Sequence, residues 1–134
     1  MEEIQIWSTF AAGRIGNTLG VIALILFGWL ALRYAAAVRA SEDGNIIFKV
    51  LGSVFALAGA WAGYNWSVES QNWYHGSANA LAALKQGGAE VSGEATSWIA
   101  QYGGTNATSA DPITIVFWVV VVVTVLLTLW APTK

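Results

Sequence analysis

An all-α integral membrane protein is the fold class this sequence predicts, with three transmembrane helices and a long outer connection containing short interfacial helices. Three observations carry that reading. Of the 134 residues, 56% are hydrophobic and only 10% are charged, against roughly 45–50% and about 25% in soluble domains. Mean hydropathy is +0.56. The apolar residues gather in three runs, each close to the roughly 20 residues a helix needs to cross a hydrocarbon core about 30 Å thick.

The chain opens on Met1-Glu2-Glu3. That start is acidic where a cleavable signal is basic, so we expect no signal peptide. Ile4, Ile6, Trp7, Phe10 and Ala11 then fit either of two arrangements. One is a short amphipathic helix in the membrane interface; the other is a plain extension of the first span. The first span is expected at about 15–38, around Val21 to Leu32. Ser41-Glu42-Asp43-Gly44 reads as a turn. Asn45 is a candidate cap for the second span, expected at 46–66.

The outer connection, 67–111, is rich in Gly, Ala, Ser and Asn. Ser77 followed by good helix formers predicts a short helix over 77–86, stopped by Gly87-Gly88. Leu81 and Leu84 share one of its faces. A second short helix is expected over 94–102, with Trp98, Ile99 and Tyr102 along one side and Gly103-Gly104 as its stop. Neither piece buries enough surface to fold alone. Asp111-Pro112 joins a capping acid to a proline at the first helical position, where its missing N–H costs nothing. That pair opens the third span, 112–131, and Pro132 closes it.

Orientation is read from positive charge. Arg33, Arg39, Lys49 and Lys134 fall on the side of the first loop and the C-terminus, and Arg14 and Lys85 on the other. The bias predicts an outer N-terminus and a cytoplasmic C-terminus, in a prokaryotic inner membrane.

The chemistry-bearing residues are few. The chain has no cysteine and one histidine. Thiolate metal sites, disulfides and cysteine nucleophiles are therefore excluded. His75 could offer an imidazole to a metal or pigment, but neighbouring ligands are limited to Glu69, Asn72 and backbone; an interfacial hydrogen-bonding role fits it better. Glu69, Glu90, Glu94 and Asp111 show no pairing spacing, and no phosphate-binding or nucleophile-elbow motif is present. We expect no catalytic residues and no bound cofactor or metal. A net charge of -2 argues against nucleic acid as a partner.

Packing carries the clearest signal. Gly52, Ala56, Gly59, Ala60 and Gly63 recur at spacings of three and four on the second span, and Gly16 and Gly20 repeat the pattern on the first. Small residues spaced this way let helix backbones approach closely. The third span, with Val119 to Val123 uniformly bulky, reads as a surface for lipid or loose partner contact. Thr114, Thr124 and Thr128 fall on one side of it and can bond backbone. The functional expectation is a non-catalytic accessory subunit of a larger membrane complex, with other membrane subunits and lipids as partners. The alternative is a small self-assembling channel or carrier.

Overall fold

In a computed structural model of the chain, residues 2–41 and 45–132 are described. The order is α1 (Glu3–Ala40), α2 (Ile46–Gln86), α3 (Gly93–Tyr102) and α4 (Pro112–Trp130). Among the described residues every regular element is helical. Helices α1, α2 and α4 are long and apolar enough to cross a membrane. The expected turn at Glu42-Asp43-Gly44, the opening Met1 and the positive Lys134 lie outside the described residues.

The helix ends follow local chemistry. The Asp111 carboxylate accepts hydrogen bonds from the Ile113 and Thr114 amides, both at 3.0 Å, and Pro112 opens α4. Asn45 Oδ1 accepts from the Ile47 amide at 2.9 Å at the start of α2. The far end of α2 closes on glycine. Gly88 sits at φ +89°, the Ala89 amide reaches the Leu84 carbonyl, and the Gly88 amide reaches that of Lys85. This is a Schellman closure, and its left-handed residue disfavours any side chain.

Two expectations need correction. The stretch 77–86 is not a separate helix capped by Ser77. It is the last part of α2, whose 41 residues run unbroken past the end of the apolar run at Trp66. Hydropathy marks where the surroundings change, not where a helix stops. The polar side chains after Trp61 bond back to their own helix: Asn65 Nδ2 donates to the Trp61 carbonyl and Gln71 Nε2 to that of Ser67. Ser77 Oγ donates to the carbonyl of Tyr74. None of these breaks the ladder, and Gly76 alone is too weak a breaker. At the other end, the residues from Glu3 onward are the extension of α1, not a detached helix. A helix of 38 or 41 residues is about 57–62 Å long, roughly twice the hydrocarbon thickness.

The chain forms two compact units, Met1–Leu19 with Ser67–Ser109, and Gly20–Trp66 with Ala110–Lys134. Helices α1 and α2 each contribute one stretch to each unit. The core of the first unit is built on Ile6, Leu81 and Ala95, with Leu84, Trp98 and Ile99 packed around them. The core of the second is built on Ala31, Ala35, Ala56, Trp118, Val121 and Val125.

That second core corrects the reading of Val119 to Val123 as a surface for lipid or loose partner contact, since Val121 lies within it. Trp118, Val121, Val125 and Leu129 form a buried stripe at spacings of three and four, while Val119, Val120 and Val123 stay exposed. Five consecutive valines show no periodicity in sequence. Only the alanines of α1 and α2 decide which face is buried. The end of α4, which has no basic residue of its own, is met by Arg39, whose guanidinium donates to the Thr128 carbonyl at 2.9 Å. A cation there complements the negative end of the helix.

Candidate functional site

The first unit carries the chain's densest polar and aromatic chemistry. Glu3, in the opening turn of α1, anchors the loop before α3. Its carboxylate accepts from the Ser92 amide at 2.8 Å, the Ser92 hydroxyl at 2.6 Å and the Trp7 indole at 3.0 Å. Ser92 is itself the N-cap of α3, accepting from the Ala95 amide at 3.1 Å. One hydroxyl thus links a carboxylate to a helix start, a favourable arrangement for negative charge.

The bonds from the Ser92 hydroxyl and amide, then from Trp7, hold the Glu3 carboxyl below its ordinary value of 4.5. The group lies outside the apolar run that begins at Ile15. A carboxyl depressed in the folded state stabilises that state above the ordinary carboxylate range. The contribution is lost as pH falls through the depressed value. We therefore expect acidification from about pH 5 downward to lower the protection of the Ser92 and Ala95 amides relative to their intrinsic exchange rates at each pH. Glu3→Gln should show low protection there already at neutral pH and little further acid response. An acid response equal to that of the unmodified chain would remove Glu3 as its origin.

Around this anchor lies an aromatic cluster. Trp98 of α3 contacts Trp7, Phe10, Tyr74 and Tyr102, with centroid separations of 4.5–5.8 Å. The Trp98 indole N–H donates to Ser77 Oγ at 3.0 Å, so the half-buried ring leaves no orphaned donor. The Arg14 guanidinium lies 4.8 Å from the Tyr74 ring centroid and donates to Ser70 Oγ at 3.2 Å. His75 sits beside this cluster. Its Nδ1 is 2.7 Å from the Tyr102 carbonyl. A carbonyl can only accept, so Nδ1 is the donor in this contact. The contact ties α2 to the last turn of α3.

Three amide side chains of α2 hold the segment after α3. Asn79 accepts from the Gly104 amide and donates to its carbonyl, both at 3.0 Å. Asn72 accepts from the Ala107 amide at 2.8 Å and donates to its carbonyl at 3.4 Å. Gln71 donates to the Ser109 carbonyl at 2.9 Å. Each asparagine pairs with both the N–H and the C=O of one residue, as a neighbouring strand would. A segment without regular structure thereby satisfies its backbone. These residues are invisible as a site in sequence unless α2 is known to continue through them. Asn72 and Asn79 are seven residues apart and share a face only in a helix.

In the second unit the small residues meet aromatic rings of the chain's own helices. The Gly63 Cα faces the Trp118 indole so closely that an added Cβ would overlap it. At Gly59 a Cβ would stand 2.5 Å from the Phe27 ring, and at Gly52 it would stand 2.8 Å from Tyr34. Gly20 faces Trp66 in the same way. Ala56 is fully buried and Ala60 half-buried against the same core. Gly16 has nothing within 4 Å of the place a Cβ would take. Phe27 and Phe55 stack at 4.1 Å beside this seam. An apolar groove of about 350 Å³ opens next to it, lined by Ala60, Tyr64, Thr114, Trp118 and Val122. Its walls suit an acyl chain or an apolar side chain.

No family model, curated protein or solved structure matches this chain. Among the described residues, no group of three or more histidine, cysteine, aspartate or glutamate side chains is placed to hold a metal. Glu69, Glu90, Glu94 and Asp111 are not brought together. Asp111 serves as a helix cap, and His75 is hydrogen-bonded to the Tyr102 carbonyl.

Proposed function

We propose that this chain is a non-catalytic accessory subunit of a larger membrane complex, of energy-transducing or membrane-oxygenase type, bracing helices and lipid. The observation that carries the reading is the small share of spanning surface the chain covers for itself. In each of the three apolar windows only 22% is buried. The remainder, including Leu26, Leu30, Leu57, Val116 and Val120, is surface for lipid or neighbouring helices. The polar side chains support the same reading, since caps, clamps and the Glu3 anchor use them to hold the chain's own backbone. The protein is then not itself an enzyme and binds no cofactor of its own. Catalytic groups belong to other chains.

In this reading the segment 67–111 lies outside a prokaryotic inner membrane and α3 lies near its surface. The N-terminus is outside and the C-terminus cytoplasmic, as the Lys/Arg bias favours. Purification in mild detergent tests the proposal directly, and different membrane proteins should co-purify in fixed stoichiometry. A stable homo-oligomer with no other chain would overturn it in favour of the self-assembling channel or carrier. For orientation, a cysteine replacing exposed Ala100 should react with an impermeant reagent added from outside, and one replacing Ser41 should not. The reverse pattern would invert the topology.

A further inference from the structure

A second cavity, of about 370 Å³, lies in the first unit between α1 and α2. Ile6 and Phe10 of α1 and Trp73 of α2 form its apolar walls, and Thr9 and Glu69 supply polar groups. Gly76 also lines it, and a Cβ there would meet nothing within 4 Å. The glycine keeps the groove open.

Glu69 is the one charged residue of this cavity. Its carboxylate has no hydrogen-bond or ion-pair partner among the described residues. Glu3 and Asp111, by contrast, are both consumed by backbone and hydroxyl donors. The Glu69 residue is exposed, and what sets its carboxylate apart from the other acidic side chains is that it lines the same groove as two aromatic side chains, Phe10 and Trp73. A carboxylate repels anions and pairs with N–H donors of a cation. Aromatic rings attract the same cation and offer apolar area to its hydrocarbon part. The volume falls within the range of small-ligand sites, roughly 300–1,000 Å³.

The geometry points to this groove as a binding site for an organic ammonium ion, with Glu69 pairing the ammonium group and Phe10 and Trp73 contacting the apolar body. The ammonium could belong to a free amine or to an aminolipid headgroup, and both present the same chemistry. The site stands independently of the subunit reading, since all its residues are on this chain.

The test uses the full chain in maltoside micelles. Phenethylammonium is the probe, 2-phenylethanol its neutral counterpart, and saturation-transfer NMR with titration the readout. The ammonium should bind and the alcohol should bind at least about tenfold more weakly, the factor expected for losing a charge-assisted contact. Glu69→Gln should weaken the ammonium by about the same factor and leave the alcohol unchanged. Gly76→Leu, whose Cβ has nothing within 4 Å and whose longer side chain would occupy the groove, should abolish both, with helicity by circular dichroism as the folding control. Added phosphatidylethanolamine that displaces the probe would assign the site to a lipid amine; failure to displace it would assign the site to a free amine. Equal binding of ammonium and alcohol, no saturable binding of the ammonium, or unchanged affinity in Glu69→Gln would each overturn the proposal.

Discussion

Replacing Gly63 by alanine is expected to destabilise the second unit by about 1–3 kcal/mol, although alanine is the better helix former. The propensity gain for Gly→Ala in a helix interior is about 1 kcal/mol. It is outweighed because the new Cβ would occupy the space of the Trp118 indole. Trp118 is only 5% exposed, so the ring has nowhere to go without moving α4. In a lipid environment the hydrophobic effect adds little between helices, and close packing carries the association. Gly16→Ala is the matched control. Nothing lies within 4 Å of its Cβ position, so the same change should be neutral or mildly stabilising. Unfolding in mixed detergent–SDS micelles measures both. Equal effects at 16 and 63 would show that the Gly63–Trp118 contact does not hold the unit together. Adding Trp118→Leu to Gly63→Ala should recover part of the loss, because the clash and the ring are one interaction.

Trp98→Ala should cost about 3 kcal/mol in the first unit, the low end for a large aromatic because the ring keeps partial exposure. Four aromatic partners and the hydrogen bond to Ser77 depend on this one side chain. Trp98→Phe keeps much of the ring contact and loses the indole donor, so about 1 kcal/mol is expected. Hydrogen exchange separates local from general effects. Amides of α3 should lose protection in Trp98→Ala while those of α4 keep theirs. Loss of protection in α4 to the same degree would mean that the two units unfold together.

Much of this fold was legible before any coordinates. The three apolar runs and the Asp111-Pro112 start depend on local chemistry, and so does the Gly87-Gly88 stop. Composition sets the surroundings, a capping carboxylate needs only its next three amides, and a left-handed closure needs a glycine. The small-residue pattern was equally visible, because its period is that of the helix itself.

What those glycines face was not visible. Gly63 meets Trp118, 55 residues along the chain, and Gly20 meets Trp66. No local pattern specifies pairings at such separations. The same reason hid the buried stripe of α4, since a run of valines has no face until another helix supplies one. The continuation of α2 was hidden for a different reason: its polar side chains, which resemble a loop in composition, bond back to their own helix three and four residues away. The Glu3–Ser92 anchor, the asparagine clamps and the Glu69 groove each join residues tens of positions apart. By itself the sequence determined that the chain is helical, apolar and able to cross a membrane three times. The tertiary structure alone decided which side chains meet, because contact energies act through space while sequence patterns report only neighbours along one helix.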